Sequence, residues 1–238
     1  MRRLLLLLVF VLALAAPASA QPPQLTVYAA SSLTDVLPAL DHRERYSFAG
    51  SDQLALQIRQ GAPADVLAAA STKQPDQLYH EGLVYKPVVF ATNRLVLIVP
   101  RANPAHLSSV FDLRRKGVKL VIGQQGVPIG DYTRKVLAKL GLSSVLANVV
   151  SEEAEVRSVV AKVAFGEADA GFVYVTDARS AASKLRTISL PAQAQPTVRY
   201  EAAIVKHTRH LSAARGFLQL LVGPDGRREL VRFGFGVP

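Results

Sequence analysis

Short apolar runs alternate with segments of helical period along most of the chain, and this alternation restricts the fold more than any other feature. "LTVYAA" (25–30), "ADVLAAA" (64–70), "RLVLIVP" (94–100), "VKLVIGQ" (118–124), "AGFVYVTDA" (170–178) and "YEAAIV" (200–205) read as strands. Between them, "DQLALQIRQG" (52–61) has helical spacing at Leu54 and Ile58, with Leu56 between, and stops at a glycine. "GDYTRKVLAKLG" (130–141) places Val136, Leu137 and Leu140 on one side of a helix. "EEAEVRSVVAKVAFGEAD" (152–169) predicts a further helix with acids at its start, as the helix dipole favours. "LSAARGFLQLLVGPDGRRELVRFGF" (211–235) closes the chain with helices. Strand and helix in alternation predict parallel α/β packing. No internal repeat, low-complexity segment or flexible linker interrupts the pattern.

The first twenty residues are expected to lie outside that fold. Arg2 and Arg3 precede the apolar run Leu4–Ala16, and "ASA" (18–20) has the form of a cleavage site. This is the pattern of a secretory signal peptide cut after Ala20, and the run is short for a membrane anchor. There is no cysteine, so neither a disulfide nor a lipid attached through cysteine is expected. A chain with 50% hydrophobic residues can build a core large enough to do without disulfides. The mature protein is expected to be soluble in the periplasm. The formal charge of +10 falls to about +8 once Arg2 and Arg3 leave, with 26 basic against 18 acidic residues. The basic residues are scattered and do not interleave with aromatics, so no nucleic-acid partner is expected.

Three junctions share one chemistry. "AASSLTD" (29–35), "FAGSDQL" (48–54) and "GQQGVPIGDYT" (123–133) each place Ser, Gly or Pro where an apolar run gives way to a helix. A helix start presents amides without internal partners and the positive end of the dipole, a combination that attracts anions. One such junction is usually an ordinary cap; three in one α/β chain point toward an anion site at the carboxyl ends of the strands. The sequence carries no phosphate-binding G-x-x-x-x-G-K-[ST] and no G-x-S-x-G nucleophile elbow. His42, His80, His106, His207 and His210 show no metal-ligand spacing with carboxylates, and His207 and His210 read as a solvated turn. An exported serine hydrolase using Ser31 or Ser32 is the alternative of another class; it needs a His and an Asp brought in by folding.

"VYAASSLTD", "FAGSDQLALQIRQGAPADVLAAA", "NRLVLIVP", "VPIGDYTRKVLAKLG" and "AGFVYVTDA" together resemble the periplasmic molybdate-binding proteins, the solute receptors of molybdate ABC importers. The similarity covers essentially the whole mature chain, and "GAPADV" (61–66) is among its more specific pieces. The resemblance implies an α/β class II periplasmic-binding-protein fold, with two α/β lobes joined by two crossing strands near "RLVLIVP" and "YEAAIV". It divides the chain into residues 21–98 and 202–238 for lobe one and 99–201 for lobe two. It implies a binding protein, not an enzyme, without a cofactor and expected to be a monomer, that holds molybdate or tungstate and hands it to a membrane permease. The alternative within the class is another tetrahedral oxyanion, sulfate or phosphate.

Carried over by position, the resemblance implies that Ser32 and Ser51 offer hydroxyl and amide, that Ile129 and Val156 offer backbone amides, and that Tyr174 offers its phenol. The metal atom would be reached only through its oxygens. Neutral donors in a dry cleft make strong charge-assisted hydrogen bonds without a buried counter-charge, and cavity size then separates molybdate and tungstate from smaller anions. Arg157, next to Val156, is expected to face away or to pair with an acid. Two features depart from the family. Ile129 stands where a small residue is usual, and its bulk is expected to narrow the cleft or shift the preferred anion. The Val36–Ser47 stretch is also shorter by roughly two helical turns. Pro38 there fits a helix only if Asp35 is the N-cap, which puts the proline in the first turn.

Overall fold

A computed structural model describes residues 23–238 and contains two five-stranded sheets. The expected signal peptide, residues 1–20, lies outside the described residues. The first sheet has the order β2-β1-β3-β10-β4, formed by β1 (Thr26–Ala30), β2 (Arg45–Ala49), β3 (Val66–Ala69), β4 (Val88–Asn93) and β10 (Val198–Ile204). The second has the order β7-β6-β8-β5-β9, formed by β5 (Leu95–Pro100), β6 (Leu120–Gly123), β7 (Val149–Glu153), β8 (Ala170–Tyr174) and β9 (Leu185–Ser189). Helices α1 (Val36–Leu40), α2 (Ser51–Arg59), α3 (Lys73–His80), α7 (Leu211–Val222) and α8 (Pro224–Arg232) pack with the first sheet. Helices α4 (Pro128–Lys139), α5 (Val156–Ala164) and α6 (Val175–Ser180) pack with the second. Each sheet with its helices makes one lobe.

Parallel packing holds only within part of each sheet. β1 pairs in parallel with β2 and β3, and β6 with β7 and β8. The strands next to the passages between lobes run the other way: β10 is antiparallel to β3 and β4, and β5 is antiparallel to β8 and β9. The strand-helix alternation predicts the βαβ units correctly but carries no signal for the antiparallel additions. The strand pairing also shifts the expected lobe boundaries. A cut at 98/99 falls inside β5 and one at 201/202 inside β10, yet each of these strands belongs whole to one sheet. The chain leaves the first sheet at Arg94 and returns between Ser189 and Val198.

The local reasons are conventional. β3, β6 and β8 are buried along their whole lengths, so their apolar runs are continuous instead of alternating. α2 turns Leu54, Ala55 and Ile58 inward, while Leu56 is half exposed on the outer face. α4 begins with Pro128 at its first position and buries Val136 and Leu137, with Leu140 past its end. The predicted helix over 152–169 is shorter, because Glu152 and Glu153 complete β7 and the helix starts at Val156. "VTDA" of the predicted strand 170–178 is instead the start of α6. β2, β4, α3 and β9 have no counterpart in the sequence reading.

The shortened segment resolves as a helix of five residues, α1, with Asp35 at its N-cap and Pro38 in its first turn. A proline there removes no internal hydrogen bond, since first-turn amides have none.

Candidate functional site

All five residues singled out by the sequence lie where a strand ends or a helix begins. Ser32 is central in a 3-10 turn, Ser31–Leu33, that follows β1 directly. Ser51 is the first residue of α2, after β2 and Gly50. Ile129 is second in α4 and Val156 first in α5. Tyr174 ends β8 and is the N-cap of α6. Ser51, Ile129 and Val156 therefore carry first-turn amides, which a helix leaves without an internal partner. All five side chains are buried, with Ser32 the most exposed at 6%.

The lobes meet across these helix starts. Arg157 of α5 reaches the first lobe, where Nη2 donates to Asp35 Oδ2 at 2.5 Å and Nε to the Ser31 carbonyl at 3.4 Å. Arg157 thus pairs with an acid, and Asp35 spends its carboxylate on that pair and makes no side-chain cap to α1. On the other side Lys73 Nζ lies 3.1 Å from Asp131 Oδ2, and Gln74 Nε2 donates to the Gly126 carbonyl at 3.2 Å. Gly126 adopts φ +96°, a conformation that favours glycine, and its amide donates to Asp131 Oδ1 at 2.8 Å. At Gly50, a Cβ would overlap the carbonyl oxygen of Ala154 in the opposite lobe. The glycine is there for space, because its φ of −61° suits any residue.

Two donors of the first lobe have assigned partners. The Ser51 hydroxyl oxygen accepts from the Ala70 amide at 3.0 Å, which leaves its own proton free. Ser32 Oγ lies 2.9 Å from the phenol oxygen of Tyr200, a residue 168 positions away in sequence. Tyr200 is fully buried on β10, with edge-to-face ring contacts to Phe90, Tyr174 and Phe235 at centroid distances of 6.0, 5.8 and 5.4 Å. Ser32 and Tyr174 therefore converge on one ring. The Tyr174 hydroxyl is buried and has no hydrogen-bond partner. Burial pushes its pKa well above the ordinary phenol value, so it keeps its proton and can donate.

Ile129 packs into its own lobe. Its Cγ2 packs so close to Gly123 of β6 that a Cβ on that glycine would lie 2.7 Å away. The isoleucine bulk occupies space within its own lobe and leaves the amide at the helix start.

Sequence reasoning missed Tyr200, Asn93 and Asp177, and read Gly50 only as part of a helix start. Asp177 is buried on α6, and Oδ2 accepts from the Tyr174 amide at 3.3 Å while Oδ1 has no partner. Burial raises its pKa to about 7, against the opposing pull of the Arg157 charge. "YVTD" carries a hint, since an acid three residues after a strand end is a capping pattern. Tyr200 and Asn93 have no local signal, because only the fold brings them to the site.

The chemistry of this arrangement is donation to an anion. Ser32, Ser51 and Tyr174 bring hydroxyls to these strand ends and helix starts, and Ile129 and Val156 bring first-turn amides. The Ser32 hydroxyl is paired with a phenol, so it lacks the histidine that a hydrolase needs. Among the described residues no group of three His, Cys, Asp or Glu is placed to hold a metal ion. A cavity of about 530 Å3 opens beside Ser32, bordered by Asp35, Arg157, Asp177 and Phe235. A larger one, about 860 Å3, is lined by Arg94, Arg101, Arg179 and Arg186. Those arginines are exposed, where water and salt screen a charge, and so offer little discrimination between anions. No described helix is long and apolar enough to cross a membrane.

Comparison with known proteins agrees with this geometry. Residues 25–236 match the family model for bacterial extracellular solute-binding protein. The molybdate-binding protein ModA of Mycobacterium tuberculosis is 38% identical over 224 residues, covering 90% of this chain and 85% of the relative. ModA of Haemophilus influenzae is 32% identical over 229 residues, covering 89% of each. The periplasmic molybdate-binding protein of Azotobacter vinelandii superposes with a TM-score of 0.81 at 25% identity, covering 90% of this chain and all of that one. The two-lobed fold, the helix starts gathered between the lobes and these relatives place the chain in the bacterial extracellular solute-binding protein family, among its molybdate-binding members.

Proposed function

We propose that the chain is the periplasmic receptor of a molybdate ABC importer, binding molybdate, and tungstate with it, between the lobes and presenting it to the membrane permease. It is a receptor, not an enzyme, as its family is. Ser32, Ser51 and Tyr174 donate through hydroxyls, and the amides of Ile129 and Val156 complete the shell around the oxygens. The observation that carries this reading is the Tyr174 hydroxyl, buried, protonated and without a partner, at the start of α6 in the second lobe and against Tyr200 of the first. A buried phenol without a partner costs free energy, of order 1–3 kcal/mol, unless it is kept for a ligand. A shell made only of donors suits an anion with no proton of its own. The lobes follow the strand pairing, with residues 23–93 and 198–238 in one and 95–189 in the other, and the chain works as a monomer after removal of the signal peptide.

Thermal unfolding of the mature chain with molybdate, tungstate, sulfate or phosphate tests the reading. An anion at a thousand times its dissociation constant adds about 4 kcal/mol, a rise of roughly 8–16 °C for a chain of this size. A rise with molybdate and tungstate alone is expected. A rise with sulfate or phosphate of equal size contradicts the assignment while keeping the fold.

A further inference from the structure

The hydroxyl of Ser32 can serve an anion only if its proton is not spent elsewhere. Its one close side-chain partner is Tyr200, at 2.9 Å, and either oxygen could be the donor on distance alone. The surroundings of Tyr200 decide the direction. Asn93, the last residue of β4, lies where the chain leaves the first sheet. Its Oδ1 accepts from the Arg94 amide at 2.9 Å, so its other terminal atom is Nδ2, which can only donate. Nδ2 donates to Thr176 Oγ1 at 3.0 Å and faces the Tyr200 oxygen at 3.4 Å. Tyr200 is fully buried, and three aromatic edges hold its ring. Among the described residues the only acceptor within reach of its phenolic proton is therefore Ser32 Oγ. If Ser32 donated instead, the phenol would bury an unsatisfied proton while receiving two.

We propose that Tyr200 is a positioning residue that donates to Ser32 Oγ and so fixes Ser32 as a donor toward the bound oxyanion, with Asn93 setting the direction of the chain. Ser51 follows the same logic by other means, since a backbone amide, that of Ala70, occupies one of its two lone pairs. The consequence is specificity. A serine that already accepts one hydrogen bond and turns its own proton to the ligand has only its second lone pair left, and offers a poorer acceptor to an anion that carries its own O–H. Hydrogen phosphate must bury an unpaired proton there, while molybdate has none to bury. The relay also joins the lobes, because Thr176 sits two residues after Tyr174 and Ser32 is on the first lobe. The inference rests on the receptor reading above.

Calorimetric titration of molybdate and of phosphate into the mature chain tests it, with Tyr200→Phe, Ser32→Ala and the double variant. Tyr200→Phe is expected to weaken molybdate binding about tenfold, while the same change in the Ser32→Ala background costs less than about twofold. The ratio of phosphate to molybdate dissociation constants should narrow in Tyr200→Phe, because Ser32 regains an acceptor. Asn93→Ala, which keeps the phenol, should weaken molybdate binding less, about threefold, again only when Ser32 is present. It serves as the second probe if Tyr200→Phe does not fold. Equal losses with and without Ser32 would make Tyr200 a structural residue and overturn the inference, as would molybdate binding unchanged in both single variants. Failure of the wild-type chain to bind molybdate would overturn the receptor reading, and this inference with it.

Discussion

The serine hydroxyls of the first lobe each have a protein partner, Ser51 Oγ accepting from the Ala70 amide and Ser32 Oγ lying 2.9 Å from the Tyr200 phenol oxygen. Tyr174 of the second lobe reaches it with nothing on its hydroxyl, although its main chain is held by Asp177. One lobe is therefore set by its own hydrogen bonds, while the other keeps a donor in reserve. This difference teaches where each kind of energy goes. Removing a first-lobe hydroxyl should cost stability and affinity together, because a protein donor is stranded. Removing the Tyr174 hydroxyl should cost affinity alone.

The comparison breaks most completely if the lobes cannot meet. Gly50→Ala places a methyl on the Ala154 carbonyl. It should weaken molybdate binding by about 3 kcal/mol or more, since backbone cannot give way as a side-chain tip does. Small-angle scattering would show whether the lobes stay apart when ligand is added.

Next in size is the pH dependence of the second lobe's anchor. Asp177 has a folded pKa of about 7, above its unfolded value near 3.8. The folded state then holds a proton that the unfolded state has lost, so stability falls as pH rises between those values. From pH 5 to pH 8 this group should remove about 3 kcal/mol. Burial raises Glu201 to about 7 as well, with the same sign, so Asp177→Asn should flatten only part of the slope of melting temperature against pH. A slope unchanged by Asp177→Asn would show that the carboxyl is ionised in the folded state.

The hydroxyl contrast itself comes third. Tyr174→Phe should weaken molybdate binding by about 2 kcal/mol and leave the unliganded melting temperature unchanged or higher. Ser51→Ala should lose a similar affinity and also about 1–2 kcal/mol of unliganded stability, because the buried Ala70 amide loses its acceptor. Equal unliganded stability in both variants would erase the distinction between the lobes. The smallest effect belongs to the ion pair over the cleft. Arg157→Ala removes the contact to Asp35, whose side chain is 40% exposed, and should cost below about 1 kcal/mol in affinity, shrinking further in high salt.

The strand ends were the most legible part of this molecule. Ser32, Ser51, Ile129, Val156 and Tyr174 stand at turns where apolar runs yield to helix starts, and each landed at such a place. Asp35 as the cap beside Pro38 was also legible, because proline tolerates only the first turn. What the sequence hid depends on distance along the chain. Tyr200 reads as one more aromatic in a buried strand until β10 places it against Ser32. Gly50 reads as a cap until Ala154 arrives from the other lobe. The antiparallel strands β5 and β10 carry the same apolar pattern as their parallel neighbours, so periodicity could not give their direction.

The most direct test of the account is an anomalous difference map from crystals of the mature chain grown with molybdate, collected at the molybdenum edge. One strong peak is expected between the lobes, ringed by the hydroxyls of Ser32, Ser51 and Tyr174 and the amides of Ile129 and Val156. A peak in the arginine-lined cavity beside Arg94 and Arg186 with none between the lobes would contradict it.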